Sequence, residues 1–177
     1  MATKMIEING GDSGNNNFED ANLIKVAYPD SELPEISEIV IHNHTKDKFV
    51  AGLSVYYRNG TSYVRMGGCS DPTTPTSFKL HNGEYITQVW GRTGSWSDKI
   101  GFMTNRGRSV EAGGTGGNEN KPEFPSRAYV IGFDLRFHTY LTRTSVHYVD
   151  LSEVPLMGRD PLTNLIFESN LLTKGLE

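Results

Sequence analysis

A single cysteine, Cys69, occurs in 177 residues, so no intramolecular disulfide can form. This suits a reducing compartment without requiring one. Long hydrophobic runs are also missing. No stretch approaches the ~18 apolar residues of a spanning helix, and the opening MATKMIEINGG lacks the apolar core of a secretory signal. Positive charge is in deficit: 17 Lys and Arg face 21 Asp and Glu, giving a formal net charge of −4 and a pI near 5.7. A nucleic-acid partner, which needs a basic stripe facing phosphates, is thereby disfavoured. Membrane insertion has no segment to carry it. The expectation is a protein that is cytoplasmic, or secreted without a recognisable signal peptide. Hydrophobic residues at 36% and charged residues at 21% fit a globular chain, long enough for one domain or for one domain with an appendage.

Glycine, by contrast, is plentiful and clustered. The 19 glycines gather at 10–14, 67–68, 91–94 and 113–117, where the backbone must turn sharply or approach something closely. Between them run short alternating segments rich in β-branched and aromatic residues: 36–42, 50–57, 62–66, 85–90, 99–104, 129–135 and 141–149. Asn59-Gly60, Asn82-Gly83 and Arg106-Gly107 punctuate them as turns. Two sequons, at Asn43 and Asn59, are not expected to be glycosylated without a secretory signal. Nothing before residue 150 sustains a 3.6-residue period, so the chain reads as all-β.

Two elements recur three times. One is a Gly-rich loop, at Gly10–Gly14, Gly67–Asp71 and Gly113–Gly117. The other is a tight loop between strands, with copies at Asp47–Ala51, Gly94–Asp98 and His138–Thr142. Three copies of a strand–loop–strand unit imply three sheets about a pseudo-threefold axis.

The stretch Gly83-Glu84-Tyr85-Ile86-Thr87-Gln88-Val89 resembles the G-E-Y-I-T-x-V signature of jacalin-related lectins. Gly91-Arg92-Thr93-Gly94, the segment Asp98–Arg108, the GGxGG loop Gly113–Gly117, Val130-Ile131-Gly132-Phe133 and Tyr140-Leu141 follow in the family's order. Gly10-Gly11 with Phe18-Glu19-Asp20 is similar to its opening loop. The resemblance covers roughly residues 8–149 and implies a β-prism of type I: three four-stranded antiparallel sheets with pseudo-threefold symmetry. It further implies a protein that is not an enzyme and that binds carbohydrate without metal or cofactor, at sites combining a G-x-x-x-D loop with the last glycine of a GGxGG loop. An uncleaved N-terminus fits the mannose-type branch, so glycans or glycoproteins of the mannose or glucose type are the expected partners.

Such a site suits a sugar physically. An ionised aspartate accepts hydrogen bonds from two neighbouring hydroxyls, backbone N–H groups donate to hydroxyl and ring oxygens, and a facing glycine removes the Cβ that would hold the ligand away. Only the middle copy is complete: Asp98 as acceptor, the N–H groups of Ser95 and Trp96 as donors, and Gly94 and Gly117 as close-approach glycines. At the C-terminal copy His138 replaces the glycine and Thr142 the aspartate, leaving Gly14, Thr139, Tyr140 and Thr142 as a second, altered candidate. The first copy is degraded in both halves, with Asp71 where the partner glycine should be.

Plainer roles compete with these. Asp98 alone is as well explained by capping a strand or pairing with Lys99 or Arg92, and Trp96 by partial burial in the core. His42 and His44, at i and i+2 on a strand, share a face, but no third metal ligand is evident in the sequence nearby. Cys69 shows no sign of activation, and no nucleophile elbow or phosphate loop occurs. Residues 1–149 are read as the lectin domain. Residues 150–177, apolar but interrupted by Pro155 and Pro161, are read as an extension that packs on the prism or on a partner subunit, with Thr163–Lys174 as a short amphipathic helix. Shallow sugar sites gain avidity from multiplicity, so a homodimer or higher oligomer is expected.

Overall fold

The computed structural model describes residues 2–11, 14–28 and 32–154. These form three four-stranded antiparallel sheets. The first has the order β1 (Lys4–Gly10), β12 (Leu141–Asp150), β11 (Ala128–Phe137), β2 (Asn16–Phe18). The second runs β10 (Asn118–Asn120), β7 (Ile86–Thr93), β8 (Ser97–Thr104), β9 (Ser109–Gly113). The third runs β5 (Ser62–Met66), β4 (Val50–Tyr57), β3 (Ile36–His44), β6 (Thr73–Lys79). Each sheet is a central hairpin, β11–β12, β7–β8 or β3–β4, flanked by two shorter edge strands.

The inner faces of the three sheets meet in one core. Ile39, Ile41 and Leu53 come from the third sheet, Ile86, Ile100 and Phe102 from the second, and Phe133, Phe137 and Leu141 from the first, all without appreciable exposure. Phe102 and Phe133 meet edge to face across two sheets, with centroids 5.7 Å apart. This is the all-β chain that the alternating segments predict and the prism that the resemblance implies, with one exception. Asp20–Ala27 form a helix, α1, where no helix is expected. Only Asp20, Ala21 and Ile24 of it are buried, too few turns to register as a period. Tertiary contacts hold it: Asp20 receives a two-pronged bond from Arg65 on β5, at 2.9 and 2.6 Å, and the Ala21 N–H donates to Asp134 of β11.

The Gly-Glu-Tyr signature proves to be architectural. Glu84, its side chain fully enclosed, accepts from the His81 N–H at 2.9 Å, the Thr104 hydroxyl at 2.7 Å and Arg108 at 2.6 Å. Tyr85 stacks on Tyr129 at 4.7 Å. These contacts tie the segment entering β7 to the β8–β9 turn and to the neighbouring sheet. Strand β12 ends at Asp150, and the backbone of Leu151 bonds to Arg127 while Leu151 and Val154 pack near Tyr129. The extension's remaining residues, including the helix expected at 163–174, lie outside the described residues.

Burial alone would raise the Glu84 carboxyl, but the His81 N–H, Thr104 and Arg108 together outweigh it and hold its pKa below the ordinary glutamate value. A carboxyl depressed in the folded state adds stability above its unfolded pKa, and that contribution is lost as pH falls through the folded pKa. Glu84→Gln, which turns an amide donor toward existing donors, is therefore expected to cost roughly 1–3 kcal/mol near neutral pH. The difference from wild type should narrow as pH drops below the carboxylate range. Denaturant unfolding across that range measures both.

Candidate functional site

The three hairpin tips, residues 45–49, 94–96 and 138–140, project at the end of the prism where the Gly-rich loops also lie. The Gly-rich loops 67–71, between β5 and β6, and 113–117, between β9 and β10, each join the two edge strands of one sheet, while Gly11 and Gly14, between β1 and β2, lie against Thr142 and Phe137 of the β11–β12 hairpin. The last residue of each tip is aromatic, and the three rings pack on one another. Phe49 and Trp96 lie 5.3 Å apart, Trp96 and Tyr140 5.1 Å, and Phe49 and Tyr140 5.0 Å. Trp96 is thus half-buried in an inter-loop cluster with part of its surface free, a combination of core and rim. The signal for the cluster was an aromatic at the same position in all three repeats.

At the middle corner the structure brings Gly94, Asp98, Gly116 and Gly117 together. Asp98 is only 8% exposed. A Cβ on Gly117, whose φ of +62° already favours glycine, would collide with the Thr93 carbonyl and stand 2.7 Å from an Asp98 carboxylate oxygen. A Cβ on Gly116 would collide with the other oxygen. The loop is held there by Arg92, which was not foreseen as part of the site: its guanidinium donates to the carbonyls of Gly116 at 2.9 Å and Gly117 at 2.8 Å. The Asp98 backbone carbonyl accepts from Gly114 at 2.7 Å.

The simple ion-pair account of Asp98 fails. Arg92 is committed to the loop carbonyls, and Lys99 bonds to Glu111 at 2.7 Å. Among the described residues no hydrogen bond or salt bridge reaches the Asp98 carboxylate, and the N–H groups of exposed Ser95 and half-buried Trp96 donate to no backbone carbonyl. A charged acceptor with two flanking donors and no Cβ opposite faces solvent.

The C-terminal corner is built differently. Gly14 lies against the Phe137 carbonyl, Tyr140 is spent in the aromatic cluster, and the Thr142 hydroxyl, on a residue 2% exposed, donates to the Arg136 carbonyl at 3.1 Å. His138 is exposed, with Nδ1 3.0 Å from the Thr139 hydroxyl. An open depression of about 340 Å³ is lined here by Asn15, Asn16, Gly68, Phe137, His138 and Thr139.

At the first corner Asp71 faces His44, where the sugar pattern would place a glycine. His44 is buried, its Nε2 3.2 Å from an Asp71 oxygen, while the Asp47 N–H donates to Nδ1 at 2.9 Å. His42 instead bonds to Ser54 at 2.8 Å. The register with β4 shifts between His42 and Asn43, and the in–out alternation of β3 breaks there, so the two histidines occupy different surroundings.

Solved structures share this fold. Calystegia sepium agglutinin matches with a TM-score of 0.65 at 17% identity, covering 83% of this chain and 96% of its own. A mannose-binding jacalin-related lectin from Ananas comosus matches at 0.61 and 15%, covering 84% and 98%. The mannose-binding lectin of champedak matches at 0.60 and 20%, also covering 84% and 98%. No curated protein sequence matches. At these identities the likeness establishes the fold alone. The Jacalin-like lectin domain family, however, matches residues 6–147, most of the chain, and with the prism and its three loop pairs now in view, the chain belongs to that family of carbohydrate-binding, non-catalytic domains.

Proposed function

We propose that the protein binds a neutral hexose of the mannose or glucose type at the middle corner, without a metal. Asp98 accepts from two vicinal hydroxyls, the Ser95 and Trp96 N–H groups donate, and the free part of the Trp96 ring borders an apolar C–H face of the sugar. The observation that carries this is the Asp98 carboxylate, nearly buried, flanked by glycines and left without a protein partner among the described residues. A group of that kind is costly to hold without a ligand or water to satisfy it. The mannose-binding lectins among the structural relatives agree with the sugar class.

The C-terminal corner offers a shallower alternative built on Thr139 and Gly14, with no carboxylate to anchor a hydroxyl pair. Its Thr142 hydroxyl is already committed to the Arg136 carbonyl. Association into a homodimer would multiply the sites and raise avidity. Sedimentation at micromolar concentration should then show a species heavier than the 19.7 kDa chain, and a strictly monomeric protein would remove that element of the proposal.

Glycan-array binding by wild type, Asp98→Asn and Thr142→Ala tests the site. Loss of a charged hydrogen-bond partner should cost roughly 1.5–3 kcal/mol, about 10- to 100-fold in affinity, so Asp98→Asn should erase a weak signal while Thr142→Ala leaves it. Loss with Thr142→Ala alone would move the site to the C-terminal corner. A folded wild type that binds no glycan would leave a prism serving as an interaction module. Sugar binding should also survive a chelator unchanged.

A further inference from the structure

The first corner departs from the sugar pattern in a chemically specific way. Where the second corner sets glycines against a carboxylate, the loop 67–71 sets Cys69 and Asp71 against His44. A ring nitrogen of His44, the Cys69 Sγ and an Asp71 carboxylate oxygen all lie within 4.8 Å of one another. The nitrogen and oxygen are 3.2 Å apart. Tetrahedral zinc, with bonds of about 2.0–2.1 Å to nitrogen and oxygen and about 2.3 Å to sulfur, needs donor atoms separated by roughly 3.3–3.6 Å. The nitrogen–oxygen edge, at 3.2 Å, falls about 0.1 Å short of that range, and the thiol requires a shift of no more than about 1.3 Å.

We propose that His44, Cys69 and Asp71 form a binding site for a borderline-soft divalent cation, Zn²⁺ foremost, with its fourth position open to solvent. The donor set selects the ion: imidazole and thiolate suit zinc or cobalt, whereas magnesium and calcium prefer oxygen alone. The residues differ in burial as a site with an entry path requires, with His44 buried, Cys69 half-buried and Asp71 exposed. The histidine is also oriented from behind. Without metal, its Nδ1 accepts the Asp47 N–H and its Nε2–H donates to Asp71. Metal at Nε2 displaces that proton, and the neutral ring then carries its hydrogen on Nδ1. There an Asp47 carboxylate oxygen lies 3.3 Å away to accept it, at the expense of the backbone bond. A carboxylate behind a metal-bound imidazole is a common arrangement that fixes ring orientation. The sequence hid this site because His44 and the loop ligands lie 25 or more positions apart and meet only when β3 and the 67–71 loop come together at one corner.

The site is separate from Asp98 and does not depend on the sugar proposal. Cobalt(II) titrated into the reduced, untagged full chain is the test. One equivalent should bind with a thiolate-to-cobalt charge-transfer band, displaced by Zn²⁺ but not by Mg²⁺ or Ca²⁺. Cys69→Ser should abolish the band. Asp71→Asn, at an exposed position, should weaken cobalt affinity by more than about tenfold, because losing even an outer-shell partner costs roughly 10- to 100-fold. His44→Gln should do the same, with circular dichroism confirming that it folds. No saturable band from folded wild type overturns the proposal. So does a band whose affinity Asp71→Asn leaves unchanged, since that marks a lone thiol binding metal by itself.

Discussion

Each sheet of the prism has two edge strands joined by one short loop, and that loop must cross the tip of the hairpin lying between them. The crossing occurs at van der Waals contact. At 113–117 a Cβ on Gly113 or Gly117 would collide with backbone carbonyls of the hairpin beneath. Chain connectivity imposes this constraint before any ligand is considered. It also accounts for most of what is unusual in the composition. The glycines at 113–117 mark one such crossing, those at 67–68 lie against the neighbouring tip at His138 and Thr139, and both proposed sites lie where a Gly-rich loop meets a hairpin tip.

The same geometry serves three chemistries. In the second corner the crossing loop is glycine but for Thr115 and is clamped by Arg92, beside the Asp98 carboxylate. In the C-terminal corner threonine replaces that carboxylate and turns its hydroxyl back into the protein. In the first corner the loop has regained side chains, and an imidazole, a thiol and a carboxylate converge. The aromatic cluster of Phe49, Trp96 and Tyr140 is common to all three and sets the tips at fixed distances from one another.

What the sequence disclosed follows from burial. The six central strands, enclosed by neighbours on both sides, carry the apolar alternation that makes a strand legible. The strands that escaped, β1, β2, β6, β9 and β10, are all edges. Two are only three residues long, β10 is exposed throughout, and β6 contains Pro75, tolerated because an edge need not donate on both sides. Helix α1 was invisible because eight residues with three buried positions hold no readable period. At the site, Asp98 and its glycines could be named from the repeat. The fates of Thr142 and Trp96 could not: the Thr142 hydroxyl turns back across its own hairpin to the Arg136 carbonyl, and Trp96 packs on residues distant in the chain. The same limit hid the association of His44 with Asp71.

The second and third sheets are each assembled from one continuous stretch of chain, residues 86–120 and 36–79. The first is not: β1 pairs with β12, so it joins the beginning of the domain to its end. During synthesis the two local sheets can form while the first strand waits with its inner edge unpaired. Only when β12 leaves the ribosome is the ring sealed, and until then the N-terminal strand has no strand partner in the sheet. The prism therefore carries a built-in delay between having most of its sheets and being a closed molecule, and that interval is when a nascent chain of this kind is most exposed to pairing with another copy of itself.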